Sequence, residues 1–213
     1  MVTATDAIAR LDEACLLEGV RVLGLVDPDL ARIAERHGPP PLWAREPGFE
    51  TLVRIILEQQ VSLASGEAAL GRLVGVTGAV EPAAIVAAGE EALRTAGLTR
   101  QKARYLFNLA GEVLDGRLDL DDLAAAADED ARARLTRVLG IGRWTADIYL
   151  LMALGRPDVW PTGDLALARA MRRAKGLAAL PTSTEQDAIA DAWRPWRAVA
   201  ARMLWQRYLA GER

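Results

Sequence analysis

The sequence predicts an all-α fold, and three observations carry that expectation. Alanine, leucine and arginine are abundant while alternating runs of Val, Ile and Thr are scarce, a bias toward helix formers. Apolar residues recur at helical spacing, most plainly Phe49, Leu52, Val53, Ile56 and Leu57 within 47–59. Helix-starting and helix-stopping residues punctuate the whole chain, and no linker or low-complexity segment divides it. With 213 residues, 51% of them hydrophobic, the chain can bury a sizeable core.

Each element has its own justification. Residues 3–18 read as a helix with Ile8, Leu11, Cys15 and Leu16 on one face. Pro28 suits the first position of a second helix, which ends at His37-Gly38 before the Pro39-Pro40-Pro41 loop. After the 47–59 helix, Glu58-Gln59-Gln60-Val61 breaks the pattern and a new helix starts near Ser62. Shorter helices follow around 82–88 and 89–96. Thr99 caps a helix over 100–115 that carries Ala103, Leu106, Phe107, Ala110 and Leu114. Asp128 begins the first helix of a hairpin, and 144–154, apolar nearly all round, forms the second and is buried. Asp164 opens the next helix, and the last two run from about Thr184 to Trp193 and from Pro195 to Leu209. The expected architecture is one compact helical unit over 1–213, two-lobed with a cleft between the lobes, with the hairpin at about 128–155.

Composition excludes several classes. The one cysteine, Cys15, rules out a disulfide framework and a cysteine-held cluster. The one histidine, His37, reads as a helix-end residue, and no zinc-ligand spacing is present. No basic-then-apolar leader and no apolar run of membrane length are present, so a cytoplasmic protein with no membrane partner is expected. The net charge of −3 does not suit a protein that coats DNA. The basic residues are nevertheless grouped, as Arg100, Lys102 and Arg104 and again as Arg169, Arg172, Arg173 and Lys175.

The most informative stretch is Leu139-Gly140-Ile141-Gly142-Arg143-Trp144-Thr145-Ala146. Its glycines allow a tight turn and close approach of another chain, and the helix that follows turns unpaired N–H groups and a positive dipole end outward. A phosphate fits there, with Gly140, Gly142, Arg143 and Thr145 as candidate DNA contacts, although helical proteins also use glycine in plain helix–helix turns. Asp164, after Gly163, reads by itself first as a helix cap, a role compatible with that of a catalytic carboxylate. Trp144 and Trp205 suit either core packing or stacking on a flipped base. Gln59-Gln60 is either a polar turn or the source of a side chain that fills the gap a flipped nucleotide leaves.

Five ordered stretches then bring a family into view: Ile56 to Ser62, Ala96 to Ala103, Leu139 to Ala146, Trp160 to Asp164, and Trp193 to Arg197. Over roughly 28–210 the chain resembles the helix-hairpin-helix DNA glycosylases, and among them the 3-methyladenine DNA glycosylase II (alkylbase) branch. The resemblance implies that Asp164 is the catalytic acid, that Trp144 and Trp205 wall the base pocket, and that Gln60 plugs the duplex. It also implies a monovalent cation, Na+ or K+, on hairpin carbonyls near Thr136, Val138 and Gly140. The additional N-terminal β-rich domain of certain members is expected to be missing. Two pocket aromatics of some members stand here as Ile148 and Leu165.

The resemblance implies excision of alkylated purines, of the 3-methyladenine and 7-methylguanine class, from double-stranded DNA by hydrolysis of the N-glycosidic bond. A monomer that requires no cofactor and holds no iron–sulfur cluster is expected, because the four C-terminal cysteines of that branch are missing. Strand cleavage through a Schiff base needs a lysine amine where this hairpin has Trp144, so a monofunctional enzyme is expected. Two other readings stay open: a non-catalytic helix-hairpin-helix module for distorted DNA, and a glycosylase for oxidised purines.

Overall fold

The computed structural model describes residues 10–211, and every regular element among them is a helix. The chain divides into two compact units, a central one over Arg45–Tyr149 and a terminal one made of Met1–Ala44 and Leu150–Arg213.

The central unit holds α3 (Phe49–Glu58), α4 (Leu63–Thr77), α5 (Pro82–Thr95), α6 (Arg100–Leu114), α7 (Leu120–Ala125), α8 (Asp128–Leu135) and most of α9 (Arg143–Met152). α3 packs on α4 and on α6, and α5 runs against α4 and α6. Leu52, Val53, Ile55, Ile56 and Leu57 of α3 are all fully buried, which makes this helix the middle of the unit. Ser62 and Thr99 cap α4 and α6 through their hydroxyls, as the sequence predicts. Gly89, at φ 76° and ψ 160°, breaks α5 into the two short helices expected on either side of it. α7 is an addition to the sequence reading. Asp119 caps it and Asp121 and Asp122 sit in its first turn, where the helix dipole favours them, while Leu123 is buried.

The terminal unit holds α1 (Glu13–Val26), α2 (Pro28–His37), α10 (Leu165–Lys175), α11 (Ser183–Ala190), a 3₁₀ turn over Asp191–Trp193 and α12 (Arg197–Leu209). α12 packs on α10, α2 and α1. The first predicted helix needs correction. Its residues 3–9 lie outside the described residues, Asp12 is an N-cap, and α1 continues to Val26 through two glycines. Gly19 is there for packing, since a Cβ would come within 2.9 Å of Trp196 and Val199. α9 stops at Met152, two residues before the predicted end, and α12 starts at Arg197. Thr182 caps α11 in a capping box with Glu185.

Two buried polar side chains hold the terminal unit together. Asp27 caps α2 with Oδ1 and accepts Lys175 Nζ at 2.5 Å and Trp193 Nε1 at 2.7 Å on Oδ2. Arg202 donates to the carbonyls of Leu42, Leu151 and Ala198 at 2.7, 2.9 and 3.0 Å, and burial pushes its guanidinium down to about 10. It stays charged at neutral pH and fixes the 38–44 loop to α12.

Burial alone would push the Asp27 carboxyl up, but the Lys175 ammonium and the Trp193 N–H outweigh it and hold the group below its ordinary value. Such a carboxyl stabilises the fold above the ordinary carboxylate range and loses that contribution as pH falls through its lowered value. Asp27→Asn keeps the cap and removes the charge, so it should cost about 1.5–3 kcal/mol at pH 7. The difference from wild type should shrink as pH drops below about 4. Thermal melts of the two proteins from pH 7 to pH 2 check both statements.

Candidate functional site

The hairpin between α8 and α9 is shaped by α6. Gly140 takes φ 92°, and a Cβ built on it would come within 2.2 Å of Cγ of the Tyr105 ring. One helical turn along α6, Asn108 Oδ1 accepts the N–H of Leu139 at 3.1 Å. Ile141 is buried and its N–H returns to Val138 O at 3.1 Å, which closes the turn. α8 and α9 are clamped by Arg132 Nε on Asp147 Oδ1 at 2.5 Å. Asp147 is fully buried, and burial pushes its carboxyl up in spite of the Arg132 charge. Arg143, exposed, has Nε 3.6 Å from the other Asp147 oxygen. Gly142 is exposed, and a Cβ there would meet nothing within 4 Å. Arg143 and a half-buried Trp144 open α9, whose first-turn N–H groups lie at the positive end of the helix.

These positions refine two of the residue assignments. Open backbone for a close approach is at Gly142, while Gly140 serves the turn itself. Thr145 is buried, and its hydroxyl accepts Gln59 Nε2 at 2.9 Å, so its side chain braces the hairpin and does not face DNA. The Gly140 carbonyl accepts the same amide at 3.0 Å, as the Val138 carbonyl accepts Ile141 N–H.

The turn after α3 lies against this hairpin. Gln59 reaches it with its side chain, as above, while its carbonyl accepts Lys102 Nζ at 3.0 Å. Lys102 also holds Leu57 O at 2.7 Å, so it caps α3 and is not turned to phosphate. Gln60 is exposed and left-handed at φ 59°, an uncommon conformation for a non-glycine residue. Val61 and Leu63, next to it, are exposed apolar side chains. The sequence singled out Gln60, but Gln59, Tyr105 and Asn108 went unassigned. The only signal for them was the adjacency of Gln59 to the break.

The carboxylate sits in the terminal unit. Gly163 at φ 83° turns the chain, and Asp164 becomes the N-cap of α10, Oδ1 accepting Leu167 N–H at 2.8 Å. The same oxygen lies 3.4 Å from the indole N–H of Trp205 on α12. Trp205 is only 9% exposed, so this N–H and the carboxylate fix each other. Leu165, beside the acid, is exposed, and Ile148 is buried in the central unit. Of the basic group after Asp164, Lys175 is committed to Asp27 and Asp29, while Arg169, Arg172 and Arg173 are exposed.

The family described as HhH-GPD superfamily base excision DNA repair protein matches residues 53–198. The chain belongs to that superfamily. The Bacillus subtilis protein YfjP is 29% identical over 83% of this chain, and the match takes in 64% of YfjP. Among solved structures, Schizosaccharomyces pombe 3-methyladenine DNA glycosylase (Mag1) in complex with abasic DNA superposes with a TM-score of 0.82. It is 26% identical, over 88% of this chain and 95% of that one. DNA-3-methyladenine glycosidase from Bacillus halodurans gives a TM-score of 0.79 at 31% identity, over 91% of both chains.

The two hairpin glycines should separate in experiment. Gly140→Ala must displace the Tyr105 ring and adopt a left-handed φ, and should cost about 2 kcal/mol or more. Gly142→Ala has open space and should melt within about 0.5 kcal/mol of wild type, as surface changes do. Denaturant titration of the two variants decides it.

Proposed function

We propose that this protein is a monofunctional DNA glycosylase that removes alkylated purines of the 3-methyladenine and 7-methylguanine class from duplex DNA. The observation that carries the reading is the fixed carboxylate of Asp164, held by the Leu167 N–H and the Trp205 indole on one oxygen. The family and the glycosylase names of the structural neighbours support it.

The chemistry follows from the charges. The hairpin backbone and Arg143 grip a phosphate, which positions the duplex without reading its sequence. Gln60 enters the gap as the damaged nucleotide turns out of the stack by ~180°. Alkylation at a ring nitrogen leaves the base cationic, so it departs with the bonding electron pair and needs little acid assistance. The sugar becomes an electron-poor cation as the C1′–N bond breaks. The ionised Asp164 stabilises that cation and orients, then deprotonates, the water that adds at C1′. A carboxylate already fixed by the fold has nothing to reorganise at that moment. Trp205 offers an indole face to a cationic base beside the acid. The resemblance assigns Trp144 to the base as well. A monovalent cation on the Thr136, Val138 and Gly140 carbonyls would add positive charge at the phosphate grip. Leu165, exposed beside the acid where some members carry a pocket aromatic, favours an apolar and more permissive base site. A monomer acting on alkylated double-stranded DNA completes the reading.

Methylated duplex incubated with the protein should release methylpurines and leave intact strands that break only on heating or alkali, because Trp144 offers no amine. Release of no modified base overturns the glycosylase reading. A borohydride-trapped protein–DNA adduct at the level of base release overturns the monofunctional part.

Asp164→Asn should preserve the cap and the Trp205 contact, since Asn caps about as well as Asp. Removing the charge should lower single-turnover excision by about 10²-fold or more with melting temperature and DNA affinity near wild type. Excision by the Asn variant close to wild type would reduce Asp164 to a helix cap.

A further inference from the structure

Gln60 is placed by its neighbour. A left-handed conformation in a side chain-bearing residue is unfavourable and persists where its surroundings impose it. Two contacts impose it here. Lys102 Nζ binds the carbonyl of Gln59 at 3.0 Å. That oxygen belongs to the peptide unit whose N–H is that of Gln60, so Lys102 fixes the plane about which Gln60 turns. The Gln59 side chain then runs the other way, to Gly140 O at 3.0 Å and Thr145 Oγ1 at 2.9 Å. Both acceptors sit in a hairpin that Tyr105 and Asn108 already hold to α6, the helix that also carries Lys102. The exposed tip at Gln60 and the open backbone at Gly142 are thus fixed in one frame by a single carboxamide and a single ammonium.

We infer that Gln59, with Lys102, is a positioning residue that couples phosphate capture by the hairpin to insertion of Gln60 into the duplex. The inference rests on the glycosylase reading for the use of Gln60 but concerns a different residue and a different measurement. A duplex phosphate seated on the hairpin presents the stack at a set distance. Gln60 meets the gap only if its own frame does not rotate. Without the carboxamide the hairpin and the turn can each persist, but they move independently, and the preference for a duplex with a gap falls while general affinity remains.

The test is a double-mutant cycle on affinity for a duplex with a single abasic site against the same duplex intact, with single-turnover excision of a methylated duplex alongside. Gln60→Ala should lower the preference for the abasic duplex by about tenfold and leave affinity for intact duplex unchanged. Gln59→Met, of the same length without the amide, should lower the preference by a similar factor, and the double variant should lose no more than either alone, since interacting neighbours are non-additive. Thr145→Val removes one of the two acceptors while keeping shape. It should reproduce the Gln59→Met pattern at smaller size, and it carries the test if Gln59→Met folds poorly. Additive losses, or a Gln59→Met loss that is equal for intact and abasic duplex, overturn the inference and make Gln59 a prop for the hairpin alone. A wild type that shows no preference for the abasic duplex overturns it as well. A wild type with the preference and the expected cycle, but no base release from methylated DNA, leaves the coupling standing and removes the glycosylase reading.

Discussion

The approach of the Tyr105 ring to the backbone of Gly140 is the constraint on which the central unit's site depends. No side chain fits at that position, so the chain must pass the ring as glycine in a left-handed turn. Once it does, Leu139 N–H falls on Asn108, Ile141 drops into the core, and the Gly140 carbonyl is turned to the Gln59 amide. α6 supplies all of the bracing on its own side, from Lys102 through Tyr105 to Asn108. Gly142 and Arg143 are left facing outward at the start of α9.

In both units polar side chains mostly bind the main chain. Lys102 holds two carbonyls at the end of α3, Arg202 holds three around α12, Gln59 reaches the hairpin, and Asp27 and Asp164 cap helices. A helix end leaves donors or acceptors that must be satisfied somewhere. In this chain the residues that satisfy them are also those that fix the site. Asp164 shows the economy of this: the N-cap geometry that stabilises α10 also immobilises the carboxylate. The Trp205 N–H adds a second constraint from another helix, one that capping alone does not need.

Much of this was legible in the sequence. Periodicity and caps located α2, α3, α4, α6 and α10, because in each case an apolar stripe and a terminating residue agree. α1 was displaced because Gly19 reads as a terminator until Trp196, nearly the whole chain away, supplies the reason for it. α7 was hidden because its acids read as a solvated run, although they suit the start of a helix. The hairpin and Asp164 announce themselves by spacing and composition. The side chains behind them do not, since the partners of Gln59 lie more than eighty positions away, at Gly140 and Thr145. Thr145 shows the same limit from the other direction: a hydroxyl in a phosphate-gripping motif reads as a contact, and only the fold shows it pointing inward.

The net charge of −3 finds its explanation in the same contacts. A tally of lysine and arginine overstates what is available to a polyanion. Lys102 and Lys175 are turned inward, Arg202 is buried, Arg132 is spent on Asp147, and Arg194 and Arg197 on Asp158. Exposed arginines remain in the hairpin at Arg137 and Arg143, on α6 at Arg100 and Arg104, and on α10 at Arg169, Arg172 and Arg173. Non-specific affinity for a polyanion grows with the number of phosphates neutralised, so this set, and not the full tally, sets its size. On the proposed glycosylase reading, a small, preformed arrangement of N–H groups and a side chain that enters the stack supplement that charge.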